Sequence, residues 1–228
     1  MIIFQAAKSY ADYAKAVNGG TPVGTCGFYY PGDPNKSSNY SDEKVLVTIS
    51  SAVRDSTSVP HSYSSWDVIG HEYGHYIQHC FDIEANPGGR HGIPSNNIDD
   101  QYNTREDDGV TRKYTLAESK DRGLKLAWAE GWATYWSTVA QSTFSSDLKT
   151  IWTVGDTSYT SYNGLDYDLD SYVGPSYGDA DERAVQRILY KLLTAPATGD
   201  RNKGRLCIDD IILNTDPNDL WFISTFYE

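Results

Sequence analysis

The sequence predicts an α+β fold: a small N-terminal sheet, one central helix and a mainly helical C-terminal lobe. Three observations carry this expectation. Two short segments ahead of residue 51, Cys26-Gly27-Phe28-Tyr29-Tyr30 and Glu43 to Ser50, have the length and alternation of strands. Further on, three longer segments repeat apolar residues at helical spacing. At 228 residues and 39% hydrophobic content, the chain can fill one full core. The expected layout is a single domain over 1–228, with an N-terminal lobe over about 1–82 and a C-terminal lobe over about 83–228. The aromatic ending Trp221 to Glu228, after Asp216-Pro217, predicts that this domain belongs to a longer protein.

In chain order, an amphipathic helix runs from Ile3 to about Val17 and stops at Asn18-Gly19-Gly20. The first strand ends at Pro31-Gly32-Asp33-Pro34, and the alternation of Glu43 to Ser50 reads as an edge strand. Ser64-Ser65-Trp66-Asp67 has the S-x-x-D form of a helix start. Val68, Ile69, Tyr73, Tyr76, Ile77, Cys80 and Phe81 then give that helix its buried face, which makes Cys80 a small core residue. From Ile83 to about Lys120 the chain is polar and rich in Gly, Asn and Asp, as a rim or lid loop would be. Leu124, Trp128, Trp132, Tyr135, Trp136 and Val139 form the stripe of a second long helix. Asp156 to Tyr177 is irregular, dense in Tyr and Asp. A last helix opens with Asp179 and Glu182 and carries Ala184, Val185, Ile188, Leu189, Leu192 and Leu193 on one face.

The chemistry concentrates in His71-Glu72-Tyr73-Gly74-His75. On a helix, residues four apart lie one above the other, so His71 and His75 can offer two imidazole nitrogens to one ion, while Glu72 beside them is left to handle a proton. This H-E-x-x-H pattern is a zinc-site signature with a general base. The plainer reading is two core histidines and a solvated glutamate. A zinc site with an open position for water needs a third protein ligand. Glu130, embedded among Ala127, Ala129, Gly131 and Ala133, is a carboxylate that burial would strip of water, and a metal would supply the counter-charge. An Arg or Lys partner is the alternative. His79 extends the row of histidines but lies eight residues from His71, about 12 Å along the axis, beyond the span of one ion with bonds of about 2.0 to 2.1 Å.

Asp67 to His75 resembles the active-site helix of thermolysin-like and fungalysin-like peptidases, and Glu130-Gly131-Trp132-Ala133-Thr134-Tyr135 resembles the glutamate-ligand helix of the gluzincins. Gly178 to Tyr190 is similar to a later helix that packs under the active site in fungalysin-like enzymes. The matches cover about a fifth of the chain, in the family's order. The resemblance implies a zincin-like fold and a zinc-dependent peptidase with His71, His75 and Glu130 as metal ligands, Glu72 as general base and a peptide or protein substrate. It also implies strand addition of the substrate, for which Val45 to Ser50 is the candidate edge. Two departures stand out. Fifty-four residues, 76 to 129, separate His75 from Glu130, a longer connection than the family's. Thr134 stands where thermolysin-like enzymes place an aspartate that orients a zinc histidine. A developing oxyanion needs a donor besides zinc, and Tyr177 and Arg183 are the candidates, with His91 in the long loop a further titratable group. An inactive binding or adhesion module on the same scaffold, and a zinc hydrolase of a non-peptide bond, are the other function classes.

Calcium is left open as a second metal. Asp166-Tyr167-Asp168-Leu169-Asp170 mimics half of a calcium loop, yet Ser171 and Tyr177 stand where an EF-hand needs Gly and Glu; the ordinary alternative is a solvated acidic loop. The net charge of −12 argues against nucleic acid and anionic membrane surfaces as partners. No run is long and apolar enough for membrane insertion. Three cysteines, Cys26, Cys80 and Cys207, allow one pair and leave one thiol. The 18 Tyr among abundant Ser, Asn and Asp, with the family resemblance, point to an extracellular or cell-surface setting, although Met1 to Gln5 does not begin a signal peptide.

Overall fold

The structure, a computed structural model, describes residues 2–30, 39–41, 44–46, 66–83, 86–87, 113–150, 154–160, 166–170 and 182–194. The expectations placed on Ser64, His91, Tyr177, Asp179, Cys207 and the C-terminal aromatic run lie outside these residues.

The architecture is α+β. Helix α1 spans Ile2–Val17, followed by strands β1 (Gly27–Tyr29), β2 (Asn39–Ser41) and β3 (Lys44–Leu46), helix α2 (Trp66–Cys80), the long helix α3 (Leu116–Gln141), strands β4 (Ser158–Thr160) and β5 (Asp166–Asp168), and helix α4 (Glu182–Thr194). One apolar core draws on α1, β3, α2, α3 and α4, with Trp66, Trp132, Trp136, Tyr10 and Tyr76 among its largest fully buried side chains. Among the described residues no helix is long and apolar enough to cross a membrane.

α1 buries Ala6, Tyr10, Tyr13, Ala14 and Val17 at helical spacing, and it ends where Gly19 and Gly20 take φ of 59° and 88°. The three-stranded sheet has the order β1-β3-β2, parallel between β1 and β3 and antiparallel between β2 and β3. This corrects the expectation of an edge strand from Val45 to Ser50 over its described part, Val45 and Leu46; Val47 to Ser50 lie outside the described residues. Over Lys44–Leu46 both sides of β3 are already paired, Val45 with Phe28 on one side and Tyr40 on the other, and Val45 is fully buried. A substrate strand cannot add there, because the backbone groups it would bond are taken.

α2 is buried along almost its whole length, from Trp66 to Gln78, apart from a half-buried His71. It emerges only at its end, so Cys80 is exposed, contrary to its expected place in the core. α3 begins eight residues before the expected Leu124. Thr115 caps it, its hydroxyl accepting from the Glu118 backbone N–H at 3.2 Å while the Glu118 carboxylate accepts from the Thr115 N–H at 2.8 Å. The stretch expected to be loop to about Lys120 is therefore helical from Leu116. Flanked by α1 and α2 and by α4, every residue of α3 from Leu126 to Gln141 is buried.

Small residues let these helices close up. A Cβ built on Gly74 of α2 would lie 3.0 Å from the Ala133 Cα of α3, and one on Gly131 would lie 2.6 Å from the Glu182 carbonyl oxygen at the start of α4. The region expected to be irregular from Asp156 contains the antiparallel pair β4–β5, with Tyr159 opposite Tyr167. The carboxylates described in its acidic run bond to protein groups. Asp168 Oδ1 accepts from Thr157 Oγ1 at 2.8 Å and from the Asp170 N–H at 2.9 Å, and the Lys191 ammonium donates to Asp170 Oδ1 at 2.6 Å. Among the described residues no group of three ligating side chains gathers here, and the rest of the expected calcium loop, from Ser171 to Tyr177, lies outside them.

Candidate metal centre

Where α2 crosses α3, three side chains converge. His71 Nε2 lies 3.0 Å from Glu130 Oε2, His75 Nε2 lies 3.4 Å from the same oxygen, and the two Nε2 atoms are 3.2 Å apart. Two donor nitrogens and a carboxylate oxygen this close repel one another unless a proton or a cation lies between them. Their spacing fits a cation. Ligands bonded at about 2.0 to 2.1 Å to a tetrahedral centre sit about 3.3 to 3.4 Å from one another, the edge of that tetrahedron. Only this trio, among the described residues, gathers three ligating side chains close enough to hold one ion.

The far sides of both rings are fixed. His71 Nδ1 lies 3.0 Å from Thr134 Oγ1, and His75 Nδ1 lies 3.0 Å from Gln78 Oε1, whose amide nitrogen in turn donates to the Ala129 carbonyl at 3.2 Å. Each Nδ1–H can therefore donate outward, which leaves each Nε2 lone pair facing the centre. Asn86 Nδ2 donates to Glu130 Oε1 at 3.3 Å, so only Oε2 of that carboxylate faces the histidines. Thr134, the departure from the thermolysin-like pattern, thus takes the orienting position through its hydroxyl. Gln78 was missed in the sequence because a lone glutamine near a helix end reads as solvated; its position three residues after His75, inside an apolar run, was the available signal. Replacing Thr134 with valine keeps shape and removes the acceptor, so metal affinity should fall by roughly 10- to 100-fold in a chelator competition, with the fold's far-UV spectrum unchanged.

The electrostatics agree with a cation site. Burial works against a charged His75, but Glu130, through charge and hydrogen bond, with help from Glu72 and Gln78, outweighs it and raises His75 to about 9. In the metal-free protein this ion pair contributes stability that is fully present below about pH 6.5, the ordinary histidine value, and is lost as pH rises through about 9. A metal must displace that proton. Calorimetric titration with chelator-buffered zinc at about pH 6, where a zinc-bound water would keep its proton, in two buffers of different ionisation enthalpy, should show about one proton released from His75, with affinity rising until pH reaches about 9. A proton count near zero would mean that His75 is neutral before the metal arrives.

Comparison with protein-family models, curated proteins and solved structures finds no match, so the family resemblance rests on the residues of α2 and α3 themselves.

Around the trio, Glu72 is buried on α2 and acts electrostatically on both His75 and Tyr159. Tyr159, on β4, brings its ring centroid to 5.7 Å from that of His71. Desolvation holds its phenol well above the ordinary range, and the carboxylates of Glu72, Asp67, Glu182 and Glu130 push the same way, so it remains a neutral O–H donor at physiological pH. Sequence reasoning named Tyr177 and Arg183 for a donor instead. Arg183 is buried in the first turn of α4, whereas Tyr177 lies outside the described residues. Nothing in a Tyr-rich segment separates Tyr159 from its neighbours until β4 is seen to pack against α2 and α3. His79 is exposed, its ring tilted at 49° to that of Tyr40 and outside the trio.

Proposed function

We propose that the chain is a zinc-dependent peptidase of the gluzincin type, with the zincin-like arrangement of a histidine helix crossed by a glutamate helix. The observation that carries this reading is the convergence of His71 Nε2, His75 Nε2 and Glu130 Oε2 at tetrahedral spacing beside a buried Glu72. The outward bonds to Thr134 and Gln78 hold the rings in the ligating tautomer, and Asn86 holds the carboxylate. His71, His75 and Glu130 would hold a zinc ion, which when bound would supply Lewis acidity and an acidified water at neutral pH. Glu72, buried beside the trio, is the group that would take up a proton from the attacking water and return it to the departing amine. Tyr159 donates its O–H to the carbonyl oxygen of the substrate as that oxygen gains charge. The substrate is a peptide or protein, and an extracellular or cell-surface setting follows from composition and family resemblance.

A buried glutamate next to the ligands favours hydrolysis over a purely structural metal site, which needs no proton acceptor. Digestion of a peptide library with the zinc-loaded protein should give cleavage that a chelator stops and added zinc restores. Stoichiometric zinc without cleavage of any peptide would point to a binding module or to a hydrolase of another bond.

A further inference from the structure

On the side of α2 away from the metal trio, the segment before β1 runs along the helix in the opposite direction. The Val23 carbonyl accepts from the Tyr76 hydroxyl at 3.2 Å. Gly24, with φ of +36°, comes so close that a Cβ built on it would overlap the Tyr76 hydroxyl and lie 3.8 Å from Cys80 Sγ. Four residues later, Phe28 stacks on Tyr73, with ring centroids 5.9 Å apart and planes 21° from parallel. Tyr73 and Cys80 are seven residues apart on one helix, so they share a face and stand about 10 Å apart along the axis. Fully extended, the chain from Gly24 to Phe28 would cover about 13 Å, enough to span that length. Cys26, midway between them, therefore passes α2 within about one helical turn of Cys80, and it lines with Tyr73 the same apolar groove of about 1160 Å³ between α1 and this segment. Both thiols also act on Tyr73 and on Tyr76, adding to the burial that raises those two phenols.

We propose that Cys26 and Cys80 are the pair that forms a disulfide, with Cys207 left as the free thiol. The match is one of position. A bridge needs Cα atoms about 4.4 to 6.8 Å apart, and Cys26, two residues past the glycine that meets Cys80 Sγ, is placed to supply it, although the two sulfurs are not joined in this structure. Cys80 is exposed and Cys26 half-buried, which sets the order of events. The Cys80 thiolate attacks a low-molecular-weight disulfide such as oxidised glutathione, forming a mixed disulfide and releasing one thiolate. Cys26, as thiolate, then attacks the Cys80 sulfur and releases the second. Two cysteine thiols are oxidised, one glutathione disulfide is reduced to two thiols, and those two thiols take up the two protons. The product closes residues 27–79 into a loop and ties the wall of the groove to the last turn of the metal helix.

The test uses the full chain, equilibrated in a glutathione redox buffer, denatured, alkylated and mapped by mass spectrometry. The expected result is one peptide containing Cys26 joined to one containing Cys80, lighter than the two reduced peptides by the mass of two hydrogens and separated by dithiothreitol, with Cys207 alkylated. Cys207→Ser should keep the link, and Cys26→Ser should leave Cys80 unlinked to any other cysteine of the chain. Full alkylation of all three cysteines after oxidation, or a link from Cys207 to either of the others, would overturn the proposal.

Discussion

Glu72→Gln should leave zinc bound and remove nearly all proteolysis, with kcat down by about two to four orders of magnitude. The amide has the size and hydrogen-bonding reach of the carboxylate but cannot accept the water's proton. Because Glu72 is buried, the exchange also takes one negative charge away from His75 and Tyr159, both of which it influences. Metal content must therefore be measured alongside the rate. Equal zinc occupancy by elemental analysis with lost activity identifies Glu72 as the proton acceptor, whereas unchanged turnover at equal occupancy assigns that role elsewhere.

The second large effect separates Glu130 from His79. Glu130→Ala removes the oxygen that approaches both histidine nitrogens, at 3.0 and 3.4 Å, and leaves Asn86 without its acceptor there. Affinity for zinc should drop by more than the roughly 10- to 100-fold that follows from losing an outer partner. His79→Ala should stay near the unsubstituted protein, since His79 is exposed and points its ring at Tyr40, 6.2 Å between centroids. Competition with a chromogenic chelator, run on both variants at one pH, gives the ranking. A larger loss for His79→Ala than for Glu130→Ala would overturn the ligand set.

Much of this site was legible in the sequence because helices repeat. The i, i+4 spacing of His71 and His75 fixes their common face wherever the helix sits, and a carboxylate among Ala127, Ala129, Gly131 and Ala133 advertises burial before any partner is known. What depends on distant pairing was not legible. Alternation in Glu43 to Ser50 says that one face is buried, yet the order β1-β3-β2 is decided by which strands arrive on each side, and nothing local records that. The start of α3 was lost for another reason: its first turns are polar, so the apolar stripe begins only at Leu124, although the Thr115 and Glu118 capping pair was there to be read. Cys80 followed the apolar period of α2 past the point where neighbouring elements stop covering the helix. Thr134 and Gln78 gain their roles only once the two helices cross.

That crossing also works as a gauge. Gly74 lies one residue before His75, and Ala133 lies three after Glu130, so the contact between them sets how far the carboxylate stands from the imidazoles. An alanine at position 74 would meet the Ala133 backbone at 3.0 Å and force α3 outward by a few tenths of an ångström. A shift of that size is comparable to the difference in bond length between zinc and a larger divalent ion. Two residues with almost no side chain, and no bond to the ion, would then decide which element the protein takes up. Gly74→Ala should narrow the preference for zinc over cadmium in a competitive titration while both histidines and the glutamate remain in place.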